Sequence, residues 1–414
     1  MNPSSSLPGA LHTKETEILH ETSPTGSFNM EFPVVAGVRR QTVLPEIAEQ
    51  DGKIGWIAGA KSRFFVEDLL GQGGAGEVVL ARDLDIGRRV AVKKIRPDKL
   101  SGEALARFIR EIRTVGLLEH PNIVPIHDVG VDEDGNYYFI MKYVEGRTLE
   151  EIIDLMREGD PEALAEFPFE RRVQIFYHLC EAVAFAHQRG IVHRDIKPAN
   201  VMIGKYGEVV LMDWGIAKEV APNTPCETPA DARAAFTATV GTDPKGWFST
   251  QVGITVGTPA YMAPEQITGK PTSFSSDIYS LGVLLHELLT LVHYLDGKDS
   301  IDALVEGVLH DSPVVPTFLS KRGQCPVPAE LNWFVDRCLQ KNPKKRYVSV
   351  DEMLHRLDLR AQGIIPVQCP MTLVKRVTLA TGRFSERHPI VTFALFFGAL
   401  PATLGLAVWS ILSR

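Results

Sequence analysis

Three groups of residues could do chemistry by type and spacing. The run "GQGGAGEV" sets Gly71, Gly73, Gly76 and Val78 in the pattern G-x-G-x-x-G-x-V. Glycines let a backbone come close to phosphate groups because no Cβ intrudes, although the same residues also suit an ordinary hairpin turn. Further on, "VAVKK" puts Lys93 inside an apolar strand, where a cation without a partner is costly. A cation that grips phosphate and is itself held by a carboxylate removes that cost. Glu111 is the candidate holder, the alternative being an exposed i,i+4 partner on its own helix; Glu103 suits the first helical turn and its dipole instead. The third group is "HRDIKPAN", with His193, Arg194, Asp195, Lys197 and Asn200, followed by Asp213 in "LMDWGIAKE".

The twelve histidines show no HExxH spacing, and Cys180, Cys226, Cys325, Cys338 and Cys369 contain no CxxC pair. Neither a zinc site nor a disulfide framework is indicated, and scattered reduced thiols fit a cytosolic compartment. The net charge of −7 over 414 residues argues against a dedicated nucleic-acid binder.

Positioning these residues calls for a strand-rich lobe and then a helical one. Residues 1–60, rich in Ser, Thr, Pro, Gly and acids, read as a mostly disordered tail. From Phe64, "FFVEDLLGQGGAGEVVLARD" and "RRVAVKKI" read as strands. "SGEALARFIREIRTVGLLEH" follows at helical spacing, with Ser101 as a candidate N-cap. "NIVPIHDVGVDEDGNYYFIMKYV" returns to strands, and beyond Thr148 helices dominate to about residue 362.

These motifs, in this order, resemble the protein-kinase family and its Ser/Thr branch, which favours a lysine where Lys197 stands. The resemblance spans about residues 64–357 and includes "YMAPEQ" at 261–266 and "DIYSLG" at 277–282. It implies an α+β, two-lobed fold over 61–357, with an N-lobe of about 61–144 and a C-lobe of about 145–357. It implies ATP and Mg²⁺ as cofactors and protein Ser/Thr hydroxyls as acceptors. Asp195 would take the substrate proton, and Lys197 would steady the transferring group. Asn200 and Asp213 would hold Mg²⁺ with the hard oxygen donors that ion prefers. Leu70, Gly71, Gly73, Gly76 and Val78 would cover the nucleotide, Lys93 and Glu111 would fix its phosphates, and Met141 and Val144 would line the adenine side, with Lys142 offering only backbone. Glu265 and Arg346 would pair, and Asp277 would tie down the "HRD" loop. Trp214 stands where the family usually has Phe; a smaller Val115 on the Glu111 helix would make room for its ring.

The segment from Asp213 to Glu265 is long for this family, and its surplus reads as a mobile insert. "TVGT" occurs at 239–242 and 255–258, and the second copy places Thr258 on the substrate side. Arg194 resembles the family arginine that receives an activation-segment phosphate. Thr237, Thr239, Thr242, Ser249, Thr250 and Thr255 are the candidates for autophosphorylation, which leaves room for a dimer acting in trans. The alternative reading is a membrane-anchored, ATP-binding pseudokinase scaffold, but it predicts loss of Lys93, Asp195, Asn200 or Asp213, all of which are present.

The last feature is "PIVTFALFFGALPATLGLAVWSIL", Pro389 to Leu412, which carries no charge. At a rise of about 1.5 Å per residue it reaches roughly 36 Å, enough for a hydrocarbon core of about 30 Å. Residues 358–388 would then form a juxtamembrane linker. Lys375, Arg376, Arg383 and Arg387 on its N-terminal flank would keep the kinase portion cytoplasmic. The wording of "MAPEQ" and "DWG" resembles bacterial members, for which the membrane would be the inner one.

Overall fold

The computed structural model describes residues 46–50, 53–57, 62–72, 76–95, 102–132, 135–214, 218–219, 258–298, 300–312, 326–394 and 409. Within the tail expected to be disordered over 1–60, a correction applies: β1 (Glu46–Gln50) and β2 (Lys53–Ile57) pair as an antiparallel hairpin. Asp51-Gly52, which joins them, is the strongest two-residue hairpin signal. Residues 1–45 lie outside the described residues, as do Ser101 and the side chain of Glu103.

The strand-rich lobe is an antiparallel five-stranded sheet in the order β3-β4-β5-β7-β6. Its strands are β3 (Phe64–Gln72), β4 (Gly76–Asp83), β5 (Arg88–Ile95), β6 (Ile126–Val131) and β7 (Tyr137–Lys142). Val and Ala crowd the middle of β4 and β5, so Val79, Ala81, Val90 and Val92 bury against Tyr138 and Ile140. Helix α1 (Gly102–Gly116) carries Leu105 and Phe108 at helical spacing and packs them on Ile95 and Phe139. That contact sets which way the next turn of α1, bearing Glu111, faces.

The helical lobe begins where β8 (Gly146–Thr148) runs into α2 (Leu149–Glu158). Thr148 caps α2 and Glu151 reaches back to the Thr148 amide, closing a capping box. After α3 (Pro161–Glu166) comes the long α4 (Phe169–Gln188), whose apolar side sits in the main core. Two short strands, β9 (Ile191–Val192) and β10 (Val201–Gly204), flank the "HRDIKPAN" loop, and β11 (Val209–Leu211) leads to Asp213. β10 pairs with both β8 and β11, and β12 (Lys218–Glu219) pairs with β9. Helices α5 (Thr258–Tyr261), α6 (Pro264–Ile267), α7 (Phe274–Thr290), α8 (Ile301–His310), α9 (Ala329–Cys338) and α10 (Val350–Ala361) complete the lobe. α7 is buried along almost its whole length. Gly282 lets it approach α9, since a Cβ there would sit 2.4 Å from Cys338 Cβ.

Residues 358–388, expected to be a linker, contain the end of α10 and the 18-residue α11 (Pro370–Arg387). The expected membrane segment 389–412 is described only as α12 (Pro389–Ala394) and Trp409, the rest lying outside the described residues. Among the described residues no helix is long and apolar enough to cross a membrane.

Two histidines make the lobe acid-sensitive. Burial pushes His286 and His293 down to about 4. Both lie below the unfolded value of about 6.5, so the folded chain binds fewer protons across that interval. Their stabilisation is therefore complete above about pH 6.5 and drains away as pH falls toward 4. Between the two values the slope approaches about 1.4 kcal/mol per pH unit for each histidine. Urea titrations at stepped pH are expected to show this fall, and His286→Gln to flatten it. An unchanged slope in that variant would remove His286 from the account.

Candidate active site

β4 and β5 are in register so that Val78 lies opposite Lys93, and Lys93 lies opposite Phe139 on β7. The Lys93 ammonium meets Glu111 Oε1 at 2.6 Å and Asp213 Oδ1 at 3.4 Å, and sits 5.8 Å from the Phe139 ring centre. Burial works against its charge, but the Asp213 and Glu111 carboxylates outweigh burial and hold it above the ordinary lysine range. Lys93 in turn holds Asp213 below the usual aspartate range. Burial raises Glu111, which lies deepest of the three. One cation thus links strand β5, helix α1 and the residue after β11–Met212.

Gly71 and Leu70 lie exposed on β3. Gly76 opens β4 under steric compulsion, because a Cβ there would come within 2.5 Å of the Lys94 carbonyl oxygen. Gly73 lies outside the described residues. Met141, next to last in β7, and the buried Val144 belong to an apolar patch with Met202, Val210 and Met212. Met202 was not singled out from sequence. Its partial exposure beside Val144 marks it as a further apolar wall of the cleft.

Across the cleft the loop after β9 brings three side chains together. Lys197 Nζ lies 2.9 Å from Asp195 Oδ2. Asn200 Nδ2 donates to Asp195 Oδ2 at 3.0 Å and to the Asp195 carbonyl at 2.8 Å. The Met212 amide donates to the Asn200 carbonyl, which fixes Asp213 relative to this loop. His193 Nδ1 accepts from the Asp195 amide, so its Nε2 carries the proton toward the Met212 carbonyl, 3.2 Å away. Burial lowers the His193 pKa, which suits that neutral tautomer.

The loop is held from below by Asp277. Its carboxylate accepts from the His193 amide (2.8 Å), the Arg194 amide (2.9 Å) and His187 Nε2 (2.8 Å). Burial opposes its charge, yet these donors hold it below the ordinary aspartate range. Arg194 needs the grip, because its φ of 73° is left-handed and costs a non-glycine residue about 1–3 kcal/mol. Gln266 adds a second hold, donating to the Arg194 carbonyl at 3.1 Å while accepting from the Ala263 amide. Neither His187 nor Gln266 was picked from sequence; the signal for Gln266 was its place directly after Glu265 in "MAPEQ".

Glu265 meets Arg346 in a two-pronged pair, 2.7 and 2.9 Å, with Ser276 Oγ donating to the same carboxylate. The side chain of Thr258, and Thr237, Thr239, Thr242, Ser249, Thr250 and Thr255 altogether, lie outside the described residues.

Trp214 is only 1% exposed and its indole stacks at a tilt on His193, ring centres 4.4 Å apart. Val115 shares the same buried cluster. The indole N–H finds no hydrogen-bond partner among the described residues. Trp214→Phe therefore deletes an unsatisfied donor while leaving a modest void. The two effects oppose each other, and the variant is expected to stay within about 1.5 kcal/mol of the parent stability and to keep its activity. Thermal unfolding beside an activity assay checks this; an inactive but stable variant would give the indole a role of its own.

The family model of the protein kinase domain matches residues 64–357. The chain is 37% identical over 299 residues to serine/threonine-protein kinase PknD of Protochlamydia amoebophila, covering 71% of this chain and 29% of that protein. It is 36% identical over 301 residues to serine/threonine-protein kinase PknB of Mycolicibacterium smegmatis, covering 72% and 42% respectively. Serine/threonine-protein kinase PknD of Chlamydia felis is 34% identical over 347 residues, covering 82% and 35%. The chain thus spans well under half the length of these relatives. The strand-rich lobe, the helical lobe as far as the middle of α10 and the two clusters of charge facing each other between them fall inside the matched span, and this chain belongs to the protein kinase family.

Proposed function

We propose that the chain is a serine/threonine protein kinase that moves the γ-phosphoryl group of ATP to protein hydroxyls. The observation that carries this is Lys93, held at 2.6 Å by Glu111 and reaching Asp213, opposite the Asp195–Lys197–Asn200 cluster. Phosphoryl transfer asks a protein for alignment and charge neutralisation more than for covalent work. Lys93 supplies a fixed cation for the α and β phosphates. Asp195 is oriented by Lys197 and Asn200 so that its carboxylate can take the hydroxyl proton as the oxygen attacks. Lys197, already beside Asp195, balances charge on the group in transit.

The donor set also fits Mg²⁺. Asn200 spends its amide hydrogens on Asp195, leaving Oδ1 as an acceptor, and the Asp213 side chain is half exposed to the cleft. Asn200 and Asp213 would hold the ion, which when bound supplies charge neutralisation at the phosphates. Gly71, Gly73, Gly76 and Val78 cover the nucleotide in this reading, with Leu70, Met141 and Val144 against the base. Thr258 serves the acceptor side, and Arg194 receives a phosphate placed in 237–255 by autophosphorylation.

The uncharged run 389–412, with Lys375, Arg376, Arg383 and Arg387 before it, supports membrane anchoring with the kinase portion on the cytoplasmic side. Incubation of the full chain with Mg²⁺-ATP and a generic protein, followed by phosphoamino-acid analysis, tests the activity. Phosphoserine and phosphothreonine are expected. Nucleotide binding without transfer would replace the kinase with the scaffold reading.

A further inference from the structure

Helix α11 has two unlike sides. At about 100° per residue, Thr372, Lys375, Leu379 and Arg383 share one side, and Leu373, Val374, Val377, Ala380 and Phe384 share the other. The first side is docked. Thr372 is fully buried and takes the amides of Gln368 and Cys369. Lys375 Nζ meets the buried carboxylate of Glu330 on α9 at 2.5 Å, and Arg383 donates to the Gln362 carbonyl beyond α10. This side is thus tied to the protein through Thr372, Lys375 and Arg383, while Leu379 on it is 37% exposed. The apolar side is turned outward, with Val374 64% and Val377 55% exposed and Leu373 and Phe384 close behind. This is the reverse of the usual arrangement, in which the apolar stripe faces the core.

What covers that stripe is indicated by its neighbours. α12 follows after a single residue, His388, and exposes Ile390, Val391 and Phe393. These begin the 24-residue run that has no charge. Arg376 and Arg387 border the apolar side of α11, both exposed and without an ion pair among the described residues. An apolar stripe edged by arginines and continuous with an uncharged run suits the boundary between acyl chains and anionic headgroups. We propose that α11 lies in the membrane interface, its outward stripe among the lipids, and that it seats the base of the helical lobe on the bilayer through the Lys375–Glu330 and Arg383–Gln362 contacts. This rests on the membrane anchoring proposed above, and it assigns the lobe a fixed stance where a loose tether would leave it free.

The test uses the full chain in nanodiscs of phosphatidylethanolamine and phosphatidylglycerol. An environment-sensitive fluorescent residue is placed at position 377, on the outward apolar side, or at 386, which is also exposed but shares the helix side of Lys375 and Arg383. With brominated lipids, position 377 is expected to lose most of its emission and to shift to the blue, while 386 keeps both. Replacing phosphatidylglycerol by phosphatidylcholine is expected to weaken the quenching at 377. Chain recovered in nanodiscs with equal, weak quenching at both positions would overturn the interfacial helix and leave the anchor standing. Chain absent from the nanodiscs would overturn both. Protection of 377 by a second copy, seen as cross-linking of Val377→Cys chains, would also overturn it in favour of a protein–protein face.

Discussion

Asp195→Asn is expected to cost about two to four powers of ten in turnover while leaving the fold intact. The position is crowded with partners: Lys197 at 2.9 Å and Asn200 at 3.0 Å both point at Oδ2. An asparagine has nearly the same shape and keeps one acceptor oxygen, so one of those contacts persists. What it cannot do is accept a proton, and removal of a positioned general base typically costs that factor. The measurement is kcat with a protein acceptor, beside a thermal unfolding curve. Turnover near the parent value would remove Asp195 from the chemistry. A large drop in unfolding temperature would show that the loss came from the loop and not from the carboxylate.

Arg346→Ala is expected to destabilise the helical lobe by about 3–5 kcal/mol, the range for breaking one side of a buried ion pair. Its side chain is fully buried, and besides Glu265 it serves the carbonyls of Gln340, Ser275 and Lys341. Truncation strands a buried carboxylate whose remaining donor is Ser276. Glu265→Gln is expected to be milder, since the guanidinium keeps its three carbonyls. Arg346→Lys should recover little, because a point charge does not reproduce the two-pronged geometry. Urea midpoints for the three variants check the order. A loss below about 1 kcal/mol for Arg346→Ala would put the pair among the weak surface bridges.

Much of the site was legible because its chemistry sits in short runs. "HRDIKPAN" and "VAVKK" each carry their residues within one loop or one strand, so the spacing that the chemistry needs is the spacing along the chain. What escaped depends on partners far away. His187 matters through Asp277, 90 residues on, and no local pattern separates it from any other helical histidine. Gln266 acts on a carbonyl 72 residues earlier. The β1–β2 hairpin was hidden by the composition of its surroundings, since Ser, Pro and Gly over the preceding residues outweighed one Asp-Gly step. In α11 the helical period was present, but which side docks is decided by Glu330, on another helix.

The grip of Asp277 also sets an order of events during synthesis. The loop bearing Asp195 is made 84 residues before the carboxylate that holds its left-handed turn, and Glu265 is made 81 residues before Arg346. A chain growing at the usual 5–20 residues per second or so therefore carries the cleft between its lobes for several seconds without the posts that square it. Only when α7 and the turn after α9 have left the ribosome can the loop bearing Asp195 lock, so its residues reach their final geometry when the helical lobe is nearly whole.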